Sequence, residues 1–147
     1  MERLLVSLGI QDLSSLVSCS ATAMIISAMA TFLLTMNVIS APYGRYSASK
    51  GFGPLIPAQI AWTIMESPNL IAAGLLVYQN PTFLERRADT ILLSLFVLHY
   101  VNRALVYPFR VARATPMPLS VMLAALCFCT WNGFMQSAAL ILTSPHT

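Results

Sequence analysis

Charge is what this sequence has least of. Its 147 residues include 8 Lys and Arg, 5 Asp and Glu and 2 His, so 9% are charged, where a soluble domain carries about 25%. The net charge of +3 comes without a basic run or interleaved aromatics, which excludes nucleic acid as a partner. Cys19, Cys127 and Cys129 all stand in apolar runs, with no CxxC pair and no histidine cluster. Neither a disulfide framework nor a metal site is expected, and the three read as small buried apolar residues. A cleaved signal peptide fits poorly too. The start carries Glu2, Arg3 and Asp12 rather than a basic cluster, and the first apolar run exceeds the ~7–15 residues of a signal's apolar core. That run is expected to be an uncleaved span.

What is there is apolar: 57% of residues are hydrophobic and the mean hydropathy is +0.73. The pattern predicts an all-α, polytopic membrane protein forming a single domain, with four transmembrane helices at about residues 13–39, 55–78, 90–109 and 119–143. The first is rich in Ala, Ser and Thr, small residues that let helices approach closely in lipid. Between the first two spans lies a turn-rich loop with Tyr43, Gly44, Arg45, Tyr46 and Lys50. Its tyrosines suit either interfacial anchoring or a ligand-binding loop. Lys and Arg slightly favour the first and third loops, which places those loops in the cytoplasm by the positive-inside rule.

Two spans carry ionisable groups where lipid makes them costly, by at least ~2.5 kcal/mol for a carboxylate at the bilayer centre. The second holds Trp62, Glu66 and Asn69 on one helical face, with Pro68 inside the run. The third holds His99, Tyr100, Asn102, Arg103 and Tyr107. Glu66 lies ~14 Å inward from Pro57 and Tyr100 ~12 Å back from Pro108, at 1.5 Å per residue. In antiparallel helices the two should meet at one level, with Arg103 and Tyr107 nearer the mouth. Desolvation at that depth disfavours the carboxylate, so a neutral acid able to donate a hydrogen bond is expected. An acid beside a phenol suits gripping a ketone oxygen and stabilising charge that develops on it. The bland alternatives are a Glu66 that pairs with Arg103 or His99 as a structural lock, and Asn132 and Gln136 that only tie helices together.

These residues also resemble a known family. Tyr43-Gly44-Arg45, Pro57-Ala58-Gln59-Ile60-Ala61-Trp62, Glu66-Ser67-Pro68, Leu98-His99-Tyr100-Val101-Asn102-Arg103, Val106-Tyr107-Pro108-Phe109, Pro116-Met117-Pro118-Leu119 and Phe128-Cys129-Thr130-Trp131-Asn132-Gly133 stand in order and spacing as in the steroid 5α-reductase (3-oxo-5α-steroid 4-dehydrogenase) family. The resemblance implies a seven-helix fold, of which this chain is similar to the N-terminal part. It implies NADPH-dependent reduction of the 4,5 double bond of a 3-oxo-Δ4 steroid in the endoplasmic reticulum membrane. It further implies Glu66 and Tyr100 as catalytic, Trp62 and Met65 as substrate-binding, and Tyr43, Arg103, Tyr107 and Asn132 as cofactor-binding. Met65 departs from the family's usual Gln, and Gln59 from its Arg. The implied partners are a steroid or other lipid substrate, membrane lipid, and the further C-terminal helices of the same fold, without which the chain is expected to be inactive. Two rival readings are a trans-2-enoyl-CoA reductase of fatty-acid elongation and a non-catalytic four-span protein.

Overall fold

The computed structural model describes residues 13–38, 52–85, 87–111 and 115–142. Four helices among them are long and apolar enough to cross a membrane. α1 is Leu13–Asn37 and α2 is Ala58–Gln79. A 3₁₀ turn at Pro81–Glu85 leads into α3, Arg87–Val101, which continues through a π turn at Asn102–Val106 into α4, Tyr107–Arg110. α5 is Leu119–Leu142. The segments α3 to α4 make one span, Arg87–Arg110, so the chain is a multi-pass membrane protein.

Two boundaries differ from the hydropathy reading. Leu55 and Ile56 do not open the second helix. They form a short strand, β1, that pairs antiparallel with β2, Met117–Pro118, with Leu55 opposite Pro118 and Ile56 opposite Met117. Leu119 N–H donating to the Pro54 carbonyl at 2.9 Å and Ser120 Oγ–H donating to that of Phe52 at 2.6 Å extend this clasp. Pro57 stops the strand because it has no N–H for a ladder, and its fixed φ suits a helix start. The third span starts earlier than expected, at Arg87.

α2 packs chiefly on α5, and Gly133 makes that contact close. A Cβ there would stand 2.6 Å from Asn69 Cα and 3.1 Å from the Pro68 carbonyl oxygen. Gly133→Ala therefore should push two backbones apart and destabilise the bundle by ~1–3 kcal/mol, read as a lower unfolding midpoint in detergent. α1 lies against α5 but buries none of its own span, and Ile25, Met29 and Phe32 stay exposed, as suits lipid-facing side chains.

Both in-span prolines have compensating hydroxyls. Pro68 has no N–H for the Ile64 carbonyl, and the Ser67 hydroxyl donates to that oxygen at 3.0 Å. Pro108 likewise cannot serve the Ala104 carbonyl, four residues back. The helix widens there, Tyr107 N–H reaching the Asn102 carbonyl five residues back. Thr63 Oγ–H from α2 donates to the orphaned Ala104 oxygen at 3.0 Å, and Ala104 is fully buried. Thr63→Val should thus cost ~1 kcal/mol of stability, the scale of an interhelical hydrogen bond in lipid, measured by the same unfolding assay.

Two apolar clusters bracket a polar layer. Ala61, Met65, Met117 and Met122 form one, next to the β clasp. Ala73, Leu76, Phe83, Leu93, Ala138 and Ile141 form the other, toward the opposite end. Glu66, Asn69 and Asn132 lie between them, all buried.

Candidate active site

α2 and the third span run antiparallel, and their side chains meet in a definite register. Arg103 in the π turn reaches Glu66, one helical turn further along Tyr107 meets Trp62, and Tyr100 stands on the other side of Arg103. Arg103 Nη2 donates to Glu66 Oε1 at 2.6 Å and its Nε donates to the same oxygen at 3.0 Å. The Glu66 side chain is 4% exposed and that of Arg103 39%, so the ion pair joins a buried acid to a cation at the rim. The guanidinium also sits 5.0 Å above the Trp62 ring, and Trp62 meets the Tyr107 ring edge-on at 5.3 Å.

This corrects the expected register. The residue level with Glu66 is Arg103, about one turn from Tyr100, because the helix continues past Pro108 to Arg110 and that proline does not mark the mouth. Glu66 Oε1 accepts both guanidinium N–H groups, the pairing with Arg103 that the sequence also left open. Its second oxygen accepts the thiol of Cys129, with Sγ at 3.6 Å.

Tyr100 nevertheless shares a chamber with Glu66. A cavity of about 480 Å³ is walled by Trp62, Met65, Glu66, Tyr100 and Arg103 from the second and third spans, and by Val121, Phe128 and Cys129 from α5. That size is typical of a small-molecule site that is apolar with a few converging polar groups. Met117 of the β clasp closes one side, and His99, edge-on to Tyr100 at 5.1 Å, lies on another. The Tyr100 hydroxyl accepts a hydrogen bond from Asn132 Nδ2 at 2.9 Å, and among the described residues it donates to none.

The residues implied by the resemblance thus fall in three places. Trp62, Met65, Glu66, Tyr100 and Arg103 come together on the cavity wall. Tyr107 is exposed and covers the Trp62 ring from the rim side, while Asn132 lies behind Tyr100, off the wall. Tyr43 lies outside the described residues. Asn69 was read on the face of Glu66 but given no role, and Cys129 was not picked out for the site, although it precedes Asn132 by three residues on α5, a helical same-face spacing. As for a dinucleotide, Arg103 is the one cation on the described wall and Glu66 matches its charge. The described residues therefore do not by themselves fit the phosphates of NADPH. Among them no cluster of His, Cys, Asp or Glu suits a metal ion.

The fold and the chamber define a multi-pass membrane protein with a pocket between its helices that is apolar apart from a few converging polar groups. No protein-family profile matches the chain, but individual proteins do. It is 42% identical over 110 residues to 3-oxo-5-alpha-steroid 4-dehydrogenase 1 of Bos taurus, covering 71% of this chain and 42% of that one. It is 33% identical over 120 residues to 3-oxo-5-alpha-steroid 4-dehydrogenase 2 of Rattus norvegicus, covering 80% and 46%. To a steroid 5-alpha-reductase of Gossypium hirsutum it is 36% identical over 108 residues, covering 71% and 41%. These relatives bear out the resemblance read from the motifs: over about 70% of its length the chain is similar to steroid 5α-reductases. It spans less than half the length of the relatives it matches.

Proposed function

We propose that this chain forms the substrate side of an enzyme that reduces the 4,5 double bond of a 3-oxo-Δ4 steroid, working in the endoplasmic reticulum membrane. The observation that carries the reading is the Tyr100 hydroxyl: it takes a hydrogen bond from Asn132 and so keeps its own proton for the chamber it lines. A steroid ketone oxygen gains negative charge as the conjugated double bond accepts hydride, and a fixed O–H donor lowers the energy of that charge. Arg103 adds a positive charge on the same wall. Glu66, the second residue proposed as catalytic, holds that guanidinium in place. Trp62, Met65 and Phe128 offer the apolar surface a steroid nucleus needs.

NADPH is the proposed source of hydride. The described residues contribute little to holding it, so its phosphates rest on other parts of the assembled protein, Tyr43 and further helices of the same fold among them. Arg103 and Tyr107, at the rim, are the described residues proposed to meet it. The loops before α2 and before α5 are proposed to face the cytoplasm.

The test uses membranes containing the chain alone, and containing the chain fused to the remaining part of the bovine relative. Each receives NADPH with a labelled 3-oxo-Δ4 steroid or with a trans-2-enoyl-CoA. The reading expects the fusion to form the 5α-reduced steroid, with little product from the thioester. Preference for the thioester would move the chain to fatty-acid elongation, and no product from either would favour a non-catalytic role.

A further inference from the structure

Asn69 and Asn132 lie off the cavity wall, yet they are the most completely enclosed amides of the polar layer, at 0% and 9% exposure. In a membrane interior an amide without partners is costly, so the way these two are satisfied carries information. Asn69 Nδ2 donates to the Glu66 carbonyl at 3.2 Å, which fixes its plane and turns its Oδ1 outward toward α5. Asn132 Nδ2 donates one hydrogen to that Oδ1 at 3.0 Å and the other to the Tyr100 hydroxyl oxygen at 2.9 Å. Gly133 permits the close backbone approach that brings the two asparagines within reach. Asn132 on α5 therefore donates both ways, to the Asn69 oxygen on α2 and to the phenol on the third span.

A hydroxyl that accepts from Asn132 must aim its own hydrogen elsewhere, and the open direction is the chamber. We propose that Asn132, oriented by Asn69, is a positioning residue that sets the polarity of the Tyr100 hydroxyl and makes it a donor toward bound substrate, a role distinct from cofactor contact. This deepens the reading of Tyr100 as the ketone's donor and rests on it. An amide that merely tied helices together would serve equally well with its polarity reversed.

Asn132→Asp reverses that polarity at nearly constant volume, because a carboxylate accepts the Tyr100 proton. In membranes of the fused enzyme, Asn132→Asp and Asn132→Ala should lower kcat about 10- to 100-fold, the scale of other outer-shell partners, with KM little changed. In a Tyr100→Phe background the same substitutions should lower kcat by less than about twofold more, since the hydroxyl they act through is gone. Losses that multiply in the double variants, or an Asn132→Asp enzyme with unchanged kcat, would overturn the proposal.

Should Asn132→Asp fail to assemble, Asn69→Ala takes its place, with a smaller loss that also vanishes in the Tyr100→Phe background. An activity-independent readout is the C–O stretching band of ring-labelled tyrosine, assigned to residue 100 by its absence in Tyr100→Phe. The band should shift when Asn132 or Asn69 is replaced, and an unmoved band would refute the positioning role whatever the enzyme does. A wild-type enzyme inert to 3-oxo steroids, with the band still shifting, would refute the functional reading and leave the hydrogen-bond polarity standing.

Discussion

Replacing Tyr100 by Phe is expected to lower turnover of a 3-oxo-Δ4 steroid by about 10²- to 10³-fold, the range seen when one donor to a developing oxyanion is removed. The change deletes one oxygen. Its ring keeps the tilted contact with Phe96 at 4.7 Å and the edge contact with His99, so packing is retained. What is lost is the proposed donor to the ketone and the acceptor for Asn132. Stability should fall by no more than ~1–2 kcal/mol, because one Asn132 N–H loses its partner while the other keeps its bond to Asn69. The check is a pair of measurements on the same membranes, kcat and the thermal midpoint. A midpoint loss that accounts for the whole drop in activity would reduce Tyr100 to a packing residue.

Arg103→Met should have the largest effect on stability, about 3–5 kcal/mol, because it leaves the buried Glu66 carboxylate without its cation. Thr63 keeps its bond to Ala104 and Trp62 its edge contact with Tyr107, while Trp62 loses the guanidinium above its ring, so the damage is local. The account then makes a sharper claim. Adding Glu66→Gln removes the stranded charge, and the double variant should regain most of the lost midpoint. It should not regain turnover, since the positive charge facing the ketone is still missing. If the double variant reduces steroid as the wild type does, the ion pair is only a lock between two helices.

Much of this arrangement was legible in the residues, for identifiable reasons. Apolar runs of membrane length fixed four spans because nothing else satisfies backbone groups in lipid. Glu66 and Arg103 drew notice because charges are costly there, and their convergence on one cavity follows from the antiparallel pairing of neighbouring spans. The register did not follow. It depends on the π turn at Asn102–Val106, whose cause is divided between Pro108 in its own helix and Thr63 on the next. No local pattern records a hydrogen bond that crosses between spans 41 residues apart in sequence.

Leu55-Ile56 posed a similar difficulty. Two apolar residues ahead of a helix extend its hydropathy signal, and only the partner Met117-Pro118 shows that they are a strand. Cys129 was read as apolar because cysteines usually are, whereas its neighbour at 3.6 Å is a carboxylate. Gly133 became meaningful only when Asn69 Cα was seen against it.

Cys129 gives the most direct test that the chamber is where a steroid sits. With Cys19 and Cys127, both exposed, replaced by Ser, it is the remaining thiol and lies on the cavity wall. Its alkylation by a small membrane-permeant maleimide should be slowed several-fold by a 3-oxo-Δ4 steroid in the presence of NADPH, and not by a saturated fatty alcohol. An alkylation rate indifferent to the steroid, in an enzyme that still turns it over, would place the substrate elsewhere and contradict the account.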